Sequence, residues 1–291
     1  MPVINSNKKT CRRKRYSKAR CYTILGVILL SAICTNYALA QSSDFQSAFV
    51  QFNEYQKTSN KAGMLKIADQ ALKNIDVWPE NNEQFKVVIY YMAAYAYYQN
   101  GKYKQAVEFC DKVEKISEKD NVFYVGYTDN VYKIAALAYM RLHNFQKSYH
   151  YSSLFITEID KNPQRFSHEN RSDYVIVRDA STIAMTFFFD ADSLWARYVN
   201  NAIEANKNIT GQQIVFEGKI ERITQRGNMP ILAFLTNNQK VVIGCAFDKS
   251  QVDKLAQLKS GQKVGLIGTV KEVKTDVVAI VDCKLLMEIV Q

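Results

Sequence analysis

Apolar positions recur with a helical period through the middle of the chain and with a period of two along its last third. In "YYMAAYAYYQNGKYKQAVEFCDKV", residues 90–113, Tyr90, Ala94 and Tyr97 share one helical stripe. Gly101 interrupts it, and Tyr103, Ala106, Cys110 and Val113 form the stripe of a second helix. Small residues at the contact of the two predict a helical hairpin. "YKIAALAYMRLHNFQKS" repeats the pattern with Tyr132, Ala136, Tyr139, Phe145 and Ser148, so that Ala136 stands where the first copy has Ala94. A fainter third copy carries Ala184, Phe187 and Ala196. Further on, Ile214, Phe216, Gly218 and Ile220 alternate with Val215, Glu217, Lys219 and Glu221, the mark of a strand. "ILAFLT", "KVVIGCAF", "KVGLIGTVKEV" and "DVVAIVDCKLL" predict four more strands. "DKSQVDKLAQL", capped by Asp248 or Ser250, predicts an amphipathic helix between the third and fourth.

Composition changes where the period does. Beyond Ala40, every Tyr lies between Tyr55 and Tyr198, and from Ile209 onward there is no Tyr, Trp or His. The chain therefore reads as two domains, helical over 41–206 and β over 207–291, joined near "ANKNITG". Residues 1–40 form a separate leader. A basic stretch ends at Arg20, "YTILGVILLSAIC" follows, and Ala38 and Ala40 supply an A-x-A site. This is the pattern of a signal peptide cleaved between Ala40 and Gln41, giving an exported, periplasmic or extracellular protein. The uncharged run from Cys21 to Ser43 leaves a retained membrane anchor as the alternative. The formal charge of +10 belongs mainly to this leader, which holds eight Lys or Arg and no acid. Without it, thirty basic side chains face twenty-eight acidic ones. The bulk charge is thus no argument for a polyanion-binding surface.

Two resemblances rest on these segments. The pattern Tyr90-x3-Ala94-x2-Tyr97-x3-Gly101-x-Tyr103-x2-Ala106 resembles a tetratricopeptide repeat. The offset from Ala94 to Ala136 exceeds that family's period of about 34, so extra residues fall in or beside "EKDNVFYVG". His143 stands where the first copy has its turn glycine. Three strands, a helix and two strands is the order of an OB-fold. "GKI", "CAF", "LKSGQKVGLIG" and "VDC", between Gln212 and Leu286, are similar to the exported tRNA_anti-like branch of that superfamily. The implied fold class is α+β in two domains: a tetratricopeptide-like solenoid of helical hairpins, then a small five-stranded OB barrel. A fold of this kind carries little function by itself.

Candidate chemistry is sparse. Single-strand binding by an OB barrel needs a basic groove and stacking aromatics. From Ile209 on there are eleven basic and eight acidic residues, and the only aromatics are Phe216, Phe234 and Phe247. Nucleic acid is accordingly not an expected partner, and a membrane is one only through an uncleaved leader. Cys245 is in phase with Val241, Ile243 and Phe247, and Cys283 with Val277, Ala279 and Val281. Both are expected inside the barrel, on the third and fifth strands that the resemblance makes neighbours. They pair there as a disulfide or lie there as two buried thiols, and an oxidising compartment favours the disulfide. Cys110 reads as core. His143, His150 and His168 have no metal-ligand spacing, and Glu217 and Glu221 read as a solvated strand edge beside Lys219. No catalytic residue, metal site or cofactor is expected. Tyr91, Tyr95 and Tyr98 form a second stripe, about 100° round the helix from the core stripe. In the repeat family this stripe lines a groove. The second copy places Lys133, Leu137, Met140 and Arg141 there, and the third includes Phe188. These residues either bind a peptide or protein partner or pack against an extra helix or the barrel. The expected function is an exported, non-enzymatic interaction scaffold with an accessory barrel. The alternative is a barrel module for an oligonucleotide or oligosaccharide.

Overall fold

The computed structural model describes residues 43–77, 83–120, 126–167, 169–237, 241–274 and 276–286. The leader and His168 lie outside them. The chain divides into two compact units, 1–51 and 52–291. The first is described only where helix α1, Ser43–Lys57, begins; the second holds everything that follows.

Helices then come in hairpins with a fixed repeat. α2 (Lys61–Asn74), α4 (Tyr103–Asp120) and α6 (Phe145–Lys161) each follow an inner helix: α1, α3 (Glu83–Gln99) and α5 (Thr128–Arg141). The inner helices end at Lys57, Gln99 and Arg141, equally spaced along the chain. Two positions later stand Ser59, Gly101 and His143, with φ of 53°, 71° and 56°. At each, the following N–H reaches back to a tyrosine carbonyl: Asn60 to Tyr55 at 2.8 Å, Lys102 to Tyr97 at 2.9 Å, Asn144 to Tyr139 at 2.9 Å. This is a left-handed helix stop, which satisfies carbonyls the helix end would otherwise leave bare. Asn60 and Asn144 then cap the next helix, accepting from the N–H of Gly63 and Lys147. The side chains repeat as well. Tyr97 Oη donates to Asp69 at 2.7 Å, and Tyr139 Oη to Asp111 at 2.8 Å. Ala93, Ala94 and Ala96 recur as Ala135, Ala136 and Ala138, all fully buried, so α3 and α5 pack closely.

The offset between the two recognised copies is therefore a structural period, and a copy before the first of them completes it around Ser59. The expected third copy does not form. Its stop, seven residues after Ala184 as Gly101 is after Ala94, would fall at Ala191, which instead opens a helix. Instead α7 (Arg171–Ala184) runs into a strand, β1 (Phe188–Asp190), and then α8 (Ala191–Asn200) and α9 (Ala202–Asn208). Asp190 and Ser193 form a reciprocal capping box at the start of α8.

The barrel is built from β2 (Gln213–Arg226), β3 (Met229–Leu235), β4 (Val242–Phe247), β5 (Lys263–Val273) and β6 (Val277–Leu285). The sheet order is β1-β2-β3-β4-β6-β5, and β5 closes on β2. β4 and β6, the third and fifth barrel strands, are neighbours as expected, and they run parallel. Ile214, Phe216, Phe234, Ile243, Leu266 and Ile280 fill the interior with no exposure. The predicted amphipathic helix shrinks to a 3-10 turn, Lys249–Gln251, and one α turn, α10 (Val252–Leu255). Only Leu255 and Leu258 in this stretch are buried, too little apolar surface to hold a longer helix. Helix does give way to strand between Asn208 and Gln213, near the expected join. That join is not a boundary between compact units, because β1 pairs in parallel with β2, Phe188 opposite Val215.

Candidate functional site

The barrel has two flanks with opposite fates. On the β2–β5 flank, Val215 and Ile267 face outward opposite each other and are buried beneath Val177, Ala180 and Ala184 of α7. Glu217 shares that flank and is only 8% exposed. The solvated edge expected for it is thus corrected: alternation assigns it to the outer face, and the helical array covers that face. Its carboxylate meets Lys263 Nζ and, at 2.8 Å, His143 Nε2. The His143 ring packs 4.4 Å from Phe188 and 5.8 Å from Phe145. The repeat's turn residue thereby couples array and barrel. Sequence pattern held one signal of this, the histidine standing where a turn glycine was expected.

Among the described residues no helix packs across the β3–β4–β6 flank, whose outward side chains are part-buried, Ala233 almost wholly. Register sets its outward residues in rows: Leu235, Val242 and Val277; Ala233, Gly244 and Ala279; then Ile231 and Ala246, with Val281 beyond. The middle row is the smallest, so a shallow apolar trough crosses the strands. Its glycine has no internal cause. A Cβ built at Gly244 meets only the Val278 carbonyl, at 4.0 Å. At Gly218 and Gly268, by contrast, a Cβ would come within 2.7 Å of Phe234 and Ile280. Beside the trough lies a cleft of about 540 Å³. Arg226, Asn228, Lys249 and Lys284 stand round it over an apolar floor that includes Met229 and Val281.

Both barrel cysteines are inside, as free thiols rather than the favoured disulfide. Burial, then a hydrogen bond with Cys283, pushes the Cys245 thiol up. Cys283 does not reach the core by the expected phase, because Val277, Ala279 and Val281 face outward. Asp282, at φ 54°, adds a residue at an irregularity of the β4–β6 ladder and turns Cys283 inward. Cys110 is buried, as expected.

The expected groove is largely filled by the chain itself. Tyr98, Leu137 and Met140 are buried, and Tyr98 packs 5.6 Å from Tyr103. Tyr91 and Tyr95 are half-buried in an aromatic cluster: Tyr91 lies 5.5 Å from Tyr127, and Tyr95 lies 6.2 Å from Phe52. Lys133 Nζ bonds Glu169 at 2.7 Å, and the Arg141 guanidinium lies 5.5 Å over Tyr103. Phe188 belongs to β1 and seals the array to the barrel. Burial and ring contacts thus assign most of this stripe to packing. His143 and His150 each meet a carboxylate, Glu217 and Glu114.

These elements define a class: helical hairpins docked through an added strand on one flank of a closed, OB-like five-stranded barrel. The chain belongs to the tRNA_anti-like family, whose profile matches residues 85–284 and so spans hairpins and barrel together. Among curated proteins no sequence matches it. Of solved structures, a provisionally named nucleic acid-binding lipoprotein of Klebsiella pneumoniae is similar at 14% identity, over 36% of this chain and 94% of that one, with a TM-score of 0.31. The OBody AM3L09, bound to hen egg-white lysozyme, is similar at 14% identity over 27% and 85%, with a TM-score of 0.23. An aspartyl tRNA synthetase from Entamoeba histolytica is similar at 12% identity over 27% and 19%, with a TM-score of 0.22. Likenesses this distant carry no inference about a ligand.

Proposed function

We propose that this is a non-enzymatic binding protein whose ligand, an extended oligomer, lies across the open β3–β4–β6 face. The observation that carries the reading is Gly244. Glycine weakens a strand, and its presence there is explained when another backbone or ligand must approach closely. Nothing inside the barrel asks for it, whereas the trough outside does. Two ligand classes suit such a face, an oligonucleotide and an oligosaccharide. Either is held without stacking, since the three barrel aromatics Phe216, Phe234 and Phe247 are buried. Gly244→Leu tests this. It fills the trough where a Cβ has room, so the fold should hold. Binding to a panel of single-stranded oligonucleotides and oligosaccharides, read by microscale thermophoresis, should fall by about tenfold or more. Unchanged binding by Gly244→Leu, or no binding by the parent protein, sinks the reading.

A second reading concerns the hairpins, taken as a tetratricopeptide-like scaffold for a peptide or protein partner. Tyr91 and Tyr95, which are part-buried rather than fully buried, favour it. Tyr95→Ala should weaken a captured partner by about 2 kcal/mol if the ring is an anchor, and a large loss of fold stability instead would leave it as packing. Export, with cleavage between Ala40 and Gln41, is part of the same proposal. The intact mass of natively expressed protein decides it, against retention of the leader as an anchor.

A further inference from the structure

Three cations stand round the cleft beside the trough, each supplied by a different element. Arg226 ends β2, Lys249 opens the 3-10 turn after β4, and Lys284 lies in β6. Asp248 and Asp282 line the same cleft, yet none of the three cations forms an ion pair with them or with any other described residue. Asp248 is engaged elsewhere. It accepts the Ser250 N–H at 2.8 Å, and that bond holds its carboxyl below the usual range. Asp282 sits at the bulge that turns Cys283 inward, with its side chain exposed. Arg226 and Lys284 are therefore uncommitted, Lys249 shares its charge with the neighbouring Asp248 without a close ion pair, and the Asn228 amide adds a neutral donor. An arginine fork with two ammonium groups suits a tetrahedral oxyanion better than a planar carboxylate, because the donors come from several directions. The apolar floor of Met229, Ala246 and Val281 gives the rest of such a ligand a dry seat.

We infer that the cleft binds the phosphate group of a phosphate ester, with Arg226, Lys249 and Lys284 on the oxygens and the ester's organic part on the apolar floor. The inference rests on the open face being a ligand surface, and it names the chemistry that surface reads at one side. The phosphate comes either from a phosphodiester strand lying in the trough or from a free phosphomonoester.

The full chain is titrated by calorimetry at low salt with adenosine 5′-monophosphate, adenosine and inorganic phosphate. The nucleotide should bind about tenfold or more tightly than adenosine, whose phosphate is missing. It should also bind more tightly than inorganic phosphate, which cannot use the floor. The double variant Arg226→Ala, Lys284→Ala should lose about tenfold or more, with an unchanged melting midpoint. Lys271→Ala, exposed on β5 away from the cleft, should lose nothing. Equal binding of nucleotide and adenosine overturns the inference. So does no nucleotide binding up to about 10 mM, or an unaffected double variant. Inorganic phosphate binding as well as the nucleotide overturns the ester assignment. A decathymidine strand separates the sources: a strand that binds and displaces the nucleotide supports the phosphodiester, and nucleotide binding without strand binding supports the monoester. The failures are also distinct. Nucleotide binding with no oligomer binding leaves the cleft standing and removes the trough reading. Oligomer binding lost in Gly244→Leu but retained in the double variant does the reverse.

Discussion

His143→Gly should destabilise the fold, although it removes a strained residue. At φ 56°, a non-glycine side chain costs about 1–2 kcal/mol, which glycine would relieve. Glycine gives back about 0.4–1 kcal/mol through the freer unfolded chain. The net relief is then about 0.5–1 kcal/mol. Against it stands the 2.8 Å bond to Glu217. A hydrogen bond to a charged group is worth about 1.5–3 kcal/mol, and the half-exposed imidazole puts this one at the lower end. Losing the ring contact to Phe188 costs about 0.5–1.5 kcal/mol more. The loss wins, by about 1–2 kcal/mol. Ser59 occupies the equivalent turn one array position earlier at φ 53°, with no side-chain bond among the described residues. Ser59→Gly should therefore raise stability, by up to about 1 kcal/mol. Urea melts of the two variants, analysed with a common slope, should shift their midpoints in opposite directions. A double-mutant cycle of His143→Gly with Glu217→Gln should give a coupling of about 1 kcal/mol or more. If His143→Gly gains stability as Ser59→Gly does, the array–barrel link through Glu217 has no energetic weight.

Arg165→Met should cost about 3 kcal/mol, because it strands the buried Asp129 carboxylate that Arg165 pairs with; adding Asp129→Asn should restore much of the loss in a urea melt. Gly268→Ala should cost about 1–3 kcal/mol, since its Cβ would lie 2.7 Å from Ile280 Cγ2 and 2.8 Å from Cys283 Sγ. Gly244→Ala, with open space, should instead be neutral or gain up to about 1 kcal/mol, and equal effects at the two positions would void the contrast. Burial pushes Tyr91, Tyr132 and Tyr139 up to about 12, and a hydrogen bond to Asp69 followed by burial does the same for Tyr97. A folded-state value above the unfolded one favours the neutral ring in the fold, so stability present below pH about 10 is lost as pH rises through about 12. Ultraviolet absorbance of the tyrosinate should show a late class ionising together with loss of helical circular dichroism. A single titration near pH 10 with the helix signal intact would contradict it.

The repeat was legible where its chemistry was helical and small. Ala94 and Ala136 mark a close helix contact, and Gly101 a left-handed stop, so two copies stand out. The copy around Ser59 was not legible, because Phe52 replaces the alanine and serine the glycine. Its remaining signal was Tyr55 and Asn60, one full period before Tyr97 and Lys102. The false third copy shows the converse: Ala184 and Phe187 have the right types, but the next residues, "FFD", find β2 to pair with. Alternation placed the barrel's interior well. It could not say which outer residues are covered, because coverage of Val215 and Glu217 comes from α7 and β1, far away in sequence. Cys283 was placed inside by a phase that would have put it outside, and the bulge at Asp282 reversed the error. A one-residue insertion is invisible to a period of two unless its own residue type announces it, and aspartate does so only weakly.

The open face could not be read in advance for a related reason. Gly218, Gly244 and Gly268 look alike in the sequence, each an interruption in a strand pattern. Two of them are required from within, since Phe234 or Ile280 already occupies the space of a side chain. The third lies where a side chain has room, on the flank that no described helix covers. A strand glycine with no inner neighbour points outward to whatever approaches it, so its meaning depends on knowing which flank is covered. Coverage is set by where β1 docks, and β1 docks on the half of β2 that also pairs with β5. The helical array therefore does more than precede the barrel. By closing the β2–β5 flank through His143, Phe188 and α7, it leaves β3, β4 and β6 as the surface on which the proposed ligand would lie.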